Sequence, residues 1–310
     1  MTIGQIAYSI LYKPTLSFRY HVNHFGLFGW LAMRTGENQM KKAVRQLPPI
    51  EFSKDKVLEV CYLTGEKYWH QTIFCAYTLA RSLNGRVGIK LYSDGTLTDD
   101  HIRMIRKVLP GVESIPEMQV ISYLDAILPE KKYPTLRYLR NWHPFFRRLT
   151  DIHTSPSWTM HLDSDMIFFD KPGQVLAAYE KKSSIYMKER LANSYFVDTV
   201  DHLRDKHHIN CIRNVNGGMI AYDNDKIDYI DLEEKANYLL LKYPGAGPAQ
   251  IEQTLMSYVL YTQTAVPLDE HKYAVFYDKL PALNDLQIVR HYIFKAKFPY
   301  LTNEWKKVIR

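Results

Sequence analysis

Between residues 57 and 122, short apolar runs alternate with segments of helical period, and this alternation restricts the fold more than any other feature of the chain. Residues 57–63, VLEVCYL, are mostly apolar and rich in strand formers, the pattern of a strand buried on both faces of a parallel sheet. Trp69, Ile73, Ala76, Tyr77, Ala80 and Leu83 recur at steps of three and four. They predict an amphipathic helix that ends at Asn84 and Gly85. Residues 87–92 read as a second strand, Thr98 onward as a helix stopped by Pro110 and Gly111, and residues 118–122 as a third strand. Short turns between such pieces imply right-handed crossovers and a mostly parallel α/β sheet flanked by helices.

Farther along, residues 134–150 read as helical despite Pro144, and residues 158–162, WTMHL, as a fourth strand. Later strands are expected at 219–222 and 287–294, with a helix at 250–261. No repeat, low-complexity tract or flexible linker interrupts the pattern. The simplest organisation is one domain over residues 56–310, preceded by a basic extension, residues 1–55, that ends near the helix-breaking Pro48 and Pro49. The stretch 25–33, FGLFGWLAM, is far too short to cross a membrane. It is read as packing on the main domain, with a peripheral membrane contact as the alternative.

With 310 residues, 46% of them hydrophobic, the chain can bury a sizeable core. The 40 Lys and Arg against 33 Asp and Glu give a net +7, a mild excess, spread along the sequence, that suits an anionic ligand or surface. Cys61, Cys75 and Cys211 lack CxxC spacing, which argues against a disulfide framework and a zinc site and favours a reducing, cytoplasmic setting. The start, MTIGQIAYSI, lacks the order of a signal peptide.

The chemistry concentrates in HLDSDMIFF. Side chains at i and i+2 of an extended segment point the same way, so Asp163 and Asp165 can face one ion. They leave a strand that should be buried, and ligands of open α/β sheets bind beyond the carboxyl ends of strands. Two hard oxygen ligands suit Mn²⁺ or Mg²⁺ bridging phosphates. A turn in which the aspartates bond only backbone amides is the structural alternative. The second Asp-x-Asp, Asp223 and Asp225, follows one strand and precedes a helix, and is read as capping.

LDSDMIFFDKP, NVNGGMIAYD, IEQTLMSYVL and RHYIFKAKFPY occur in the order seen in GT-A glycosyltransferases, Rossmann-like α/β enzymes. Over roughly residues 57–300 the chain most resembles the retaining family of glycogenin and bacterial lipopolysaccharide galactosyltransferases. The resemblance implies that Asp163 and Asp165 bind metal and donor, that Ser164 between them lies at the donor, and that His291 supplies a third ligand. A nitrogen among carboxylates favours Mn²⁺ over Mg²⁺. It implies that Asn216, Gly217 and Gly218 accommodate the donor sugar, and that Glu252 and Gln253 sit near its reactive carbon. Leu63, Thr64, Gly65 and Asp94 would cradle the nucleotide. Arg140 would help to organise the donor site, while Arg147 and Arg148 read as a solvated basic face. Lys297 would reach the diphosphate, with Lys295 as the alternative contact because Phe294 stands where the family has a glycine. The implied activity is transfer of a hexose from a UDP-sugar, with retention, to a glycan, lipid-linked or protein acceptor that the sequence leaves open.

Two rivals remain at this level. A nucleotidyltransferase also needs paired carboxylates, but no glycine-rich phosphate loop is present. A nucleic-acid-binding module could use the arginines of 137–148 with Tyr133, Tyr138, Trp142 and Phe145 interleaved. No nucleic-acid partner is expected.

Overall fold

The computed structural model describes residues 13–153, 157–191, 194–278 and 286–309. A helical segment, α1 (Lys13–Ala43), leads to β1 (Leu58–Thr64), α2 (Trp69–Ser82) and β2 (Val87–Ser93). β1 and β2 pair in parallel from Leu58 opposite Val87 to Thr64 opposite Ser93. Their alternating Leu, Val, Ile and Tyr side chains are almost wholly buried, as the apolar runs require. Asn84 and Gly85 take positive φ and end the α2 turn, since a left-handed residue cannot continue the helix. α3 (Asp99–Val108) starts at Thr98, whose hydroxyl accepts from the His101 amide.

The chain then differs from the alternation read above. The third strand, β3, is only Glu113–Ser114, and residues 118–122 lie inside α4 (Glu117–Ile127). Val120 and Leu124 are buried one turn apart, so the helical period prevails over the strand-like composition of MQVIS. Residues 134–150 are not one helix either. α5 spans Pro134–Trp142, because His143 precedes Pro144 and is held extended at φ −150 and ψ 140. A π-helical turn over Arg148–Ile152 follows.

β4 (Trp158–Leu162), β5 (Met166–Phe168), α6 (Gly173–Lys181), β6 (Ile185–Lys188), α7 (Val200–His207), β7 (Val215–Asp223), α8 (Tyr229–Lys242), α9 (Pro248–Thr262), β8 (Val266–Pro267), β9 (Tyr273–Phe276), β10 (Val289–Tyr292) and α10 (Lys297–Thr302) complete the order. The central sheet runs β3-β2-β1-β4-β7-β6-β8. Four of its six pairings are parallel; β7 is antiparallel to both β4 and β6. A second sheet has the order β5-β10-β9.

The described residues belong to two compact units. The larger comprises Pro48–Val275 and Leu283–His291 and holds the central sheet. The smaller comprises Met1–Leu47, Phe276–Ala282 and Tyr292–Arg310. In it α1, read from sequence only as part of an extension, is a helix kinked at Gly26 (φ 70, ψ 168). One face of α1 packs on α10: the Phe25 and Phe298 rings stack at 6.1 Å, Met33 and Met40 are buried, and Gly36 meets the Leu301 backbone. The stretch 25–33 therefore packs only in part, for Leu27, Phe28 and Leu31 are exposed.

Candidate active site

The register of the larger unit draws distant segments to one edge. β4 lies parallel to β1, with His161 opposite Cys61, so Thr64, Gly65 and Asp163 emerge at the same end. Antiparallel pairing of β4 with β7 sets Leu162 opposite Met219, and the Asp163 amide donates to the Gly218 carbonyl at 2.7 Å. β10 pairs with β5 so that His291 lies opposite Met166, one residue beyond Asp165. Three strand ends thus deliver Asp163, Asp165 and His291 to one point.

A ligating atom from each of these three lies within 4.8 Å of the others. His291 Nε2 is 3.2 Å from Asp165 Oδ1 and 3.9 Å from Asp163 Oδ2. Burial grades across the group: the His291 side chain is 2% exposed, that of Asp165 12% and that of Asp163 34%. Nδ1 of His291 pairs with Asn216 Oδ1 at 3.0 Å, and since a carbonyl oxygen only accepts, Nδ1 carries the proton. Nε2 is buried, has no hydrogen bond and faces the two carboxylates, and in the neutral ring it presents its lone pair to them. A buried ring nitrogen facing two carboxylates fits a cation, and an O,O,N donor set accepts Mn²⁺. Asn216 is fixed in turn, accepting from the Gly218 amide at 3.0 Å and donating to Glu189 Oε2 at 3.0 Å. A Cβ at Gly218 would overlap the His291 ring, so only glycine lets β7 approach this closely.

Behind the carboxylates stands Arg148, which sequence reading took for a solvated residue. Its side chain is only 12% exposed, and it donates to Asp163 Oδ1 at 3.1 Å, Glu252 Oε2 at 2.9 Å and the Gly217 carbonyl at 3.3 Å. Burial pushes the Glu252 carboxyl up to about 7 against the pull of Arg148, with Asp163 adding to the rise. Gln253, beside it on α9, donates to the Val215 carbonyl at 2.6 Å, and its Oε1 lies where a Cβ on Gly217 would need space. A chain of buried imidazoles braces the same turn: His161 Nε2 donates to the Gly217 carbonyl at 2.7 Å, and His153 Nε2 lies 3.1 Å from His161 Nδ1. Burial holds both rings neutral, His153 pushed down to about 3 and His161 well below its usual range. His153 and His161 went unread, and Arg148 was read as solvated, because their partners lie on other elements. The one local signal was polar residues inside apolar strand and helix patterns.

Other expected residues fall around this centre or away from it. Ser164 Oγ, Thr72 Oγ1 and Thr64 Oγ1 form a buried hydroxyl chain with steps of 2.8 and 2.7 Å. Gly65 abuts Asp94, whose Oδ1 accepts from the Thr96 amide and hydroxyl. Leu63 is half-buried against the core. Arg140 is engaged elsewhere, paired with Asp151 at 2.7 and 2.9 Å and with Glu117 at 2.7 Å. Lys297 opens α10 in the smaller unit, with its Nζ 5.9 Å from the Tyr300 ring centre. Phe294, in that unit, has φ 46, the left-handed backbone that glycine favours, and stacks on Tyr277 at 5.4 Å. Asp223 caps the short turn after β7, accepting from the Asp225 amide, whereas Asp225 accepts from the Ser157 amide of another segment and the next helix is capped by Asp228.

No protein-family model matches the chain, and no curated protein matches it in sequence. Among solved structures it is similar to mouse xyloside xylosyltransferase 1 in its apo form, at 12% identity over 77% of this chain and 98% of that one, with a TM-score of 0.50. The fold is the GT-A fold of glycosyltransferases. It is also similar to apo WbbM, a bifunctional glycosyltransferase (13% identity, 84% of this chain, TM-score 0.48), of which it spans about half the length, 52%. An active-site mutant of LgtC matches at 9% identity over 76% of this chain and 86% of that one, with a TM-score of 0.49. In the GT-A fold of this chain, the Asp163, Asp165 and His291 cluster lies at the carboxyl end of β4, beside those of the parallel β1 and β2.

Proposed function

We propose that this chain is a metal-dependent glycosyltransferase that takes a hexose from a UDP-sugar and transfers it, with retention, to a glycan, lipid-linked or protein acceptor. The observation that carries this reading is the buried, unbonded Nε2 of His291 facing two carboxylates. Asp163, Asp165 and His291 would hold the ion, and Mn²⁺ suits the donor set. Bound there, a divalent ion supplies Lewis-acid stabilisation of charge on a departing diphosphate. The chain's own part is to keep the site in shape before donor arrives. Asn216 holds the His291 proton on Nδ1 and turns Nε2 toward the carboxylates. Arg148 fixes Asp163 and Glu252 in one frame and sets a positive charge between them. Glu252 and Gln253 stand behind the Gly217 turn, where a donor sugar would be oriented. Thr64, Gly65 and Asp94 are at the ends of β1 and β2, where a nucleotide would lie.

The test is thermal shift and turnover with UDP-hexoses. Wild-type protein is expected to gain melting temperature from UDP-sugar only when Mn²⁺ is present. Asp163→Ala and Asp165→Ala should each abolish that gain and lower turnover by at least about a hundredfold. Full turnover in EDTA would sink the reading, and an inverted anomeric product by NMR would sink the retention.

A further inference from the structure

The smaller unit differs in charge from the rest of the chain. Its residues include twelve Lys and Arg against three Asp and Glu, a net +9, whereas the remainder has 28 against 30, a net −2. The whole positive excess of the protein is therefore gathered in this unit. Beyond the Gly26 kink, at about 3.6 residues per turn, Met33, Gly36 and Met40 point to one side of α1, the side covered by α10. Leu27, Leu31, Arg34 and Lys42 form a stripe on the opposite side, flanked by Phe28. Phe28 is 86% exposed, Leu27 50% and Leu31 45%; Arg34 and Lys42 are exposed along the same line, and Arg45, in the 3-10 turn that follows α1, is exposed as well. A helix that is apolar on two sides needs a cover for each, and among the described residues of the unit only one is supplied.

We propose that this outer face of α1 docks on an anionic membrane surface, with Leu27, Phe28 and Leu31 entering the headgroup boundary and Arg34, Lys42 and Arg45 lying against acidic lipid headgroups. Among the described residues no helix is long and apolar enough to cross a membrane, which fits lying on one rather than spanning it. Charge complementarity selects the occupant. Two copies meeting through units of net +9 would repel, and Phe28 is a single exposed ring flanked by aliphatic Leu27 and Leu31, whereas a strand of bases is held by a series of rings.

Co-sedimentation of the full chain with vesicles tests this without any turnover, so its outcome is independent of the transferase reading. The protein is expected to pellet with phosphatidylcholine vesicles containing about a third phosphatidylglycerol, not with phosphatidylcholine alone, and to be released as salt rises. The double variants Phe28→Ser with Leu31→Ser, and Lys42→Gln with Arg45→Gln, should each weaken binding at least about fivefold with unchanged circular dichroism. Equal binding to neutral vesicles, or undiminished binding of both variants, overturns the proposal. So does a single-stranded oligonucleotide that displaces the vesicles, or a dimer in sedimentation that Phe28→Ser abolishes.

Discussion

Gly218 is the residue on which the candidate site turns. Its missing Cβ is the space that the His291 ring occupies, so Gly218→Ala must push the ring, Met166 or β7 aside. Mn²⁺ affinity by calorimetry is expected to fall at least about tenfold in that variant while the sheet persists; unchanged affinity would remove His291 from the ligand set. Glu252 yields a second prediction. Its folded carboxyl titrates at about 7, above the 4.5 of an ordinary glutamate, so the folded state holds the proton more tightly than the unfolded state. Stability from this group is full below pH 4.5 and is lost as pH rises through 7. In metal-free protein Glu252→Gln should flatten that slope in urea titrations, an effect of at most about 3 kcal/mol. Asp163 and Asp165 were legible because two carboxylates directly after a buried apolar strand have no other ready compensation, although they lie in the bend between β4 and β5 rather than on an extended strand. Arg148 was not, because its meaning lies in Glu252, far along the chain and on another element.

Elements were legible where period and length agreed. The runs that became β1, α2, β2 and β4 have strong patterns and end within a residue or two of where they were read. Residues 118–122 failed because a five-residue apolar run does not distinguish strand from helix. The break after Trp142 was announced by Pro144, yet the density of helix-forming residues on either side concealed it. α1 was missed as a helix because its aromatic and basic residues serve two faces and blur any single amphipathic stripe. Its inner face can be probed directly. A Cβ at Gly36 would run into the Leu301 carbonyl, so Gly36→Ala should force α1 and α10 apart and cost about 1–3 kcal/mol. Hydrogen exchange should then quicken in α10 and leave β1 and β2 protected.

At the scale of the whole molecule, the basic residues are spread in sequence and gathered in space, because the smaller unit is assembled from segments far apart along the chain. A reading along the sequence could not see that asymmetry. The three thiols are the converse case, scattered and uniformly hidden: Cys61, Cys75 and Cys211 are free, buried and each pushed up to about 12 by burial. Ellman's reagent should find no reactive thiol in native protein and all three in guanidinium; fast reaction of any one would contradict their burial. The pairing of β10 with β5 has a consequence for biogenesis. On the ribosome, the aspartates emerge long before the imidazole that completes their cluster. A nascent chain can therefore lay down its parallel strands early, whereas the three-residue cluster closes only after β10 has emerged, long after the aspartates.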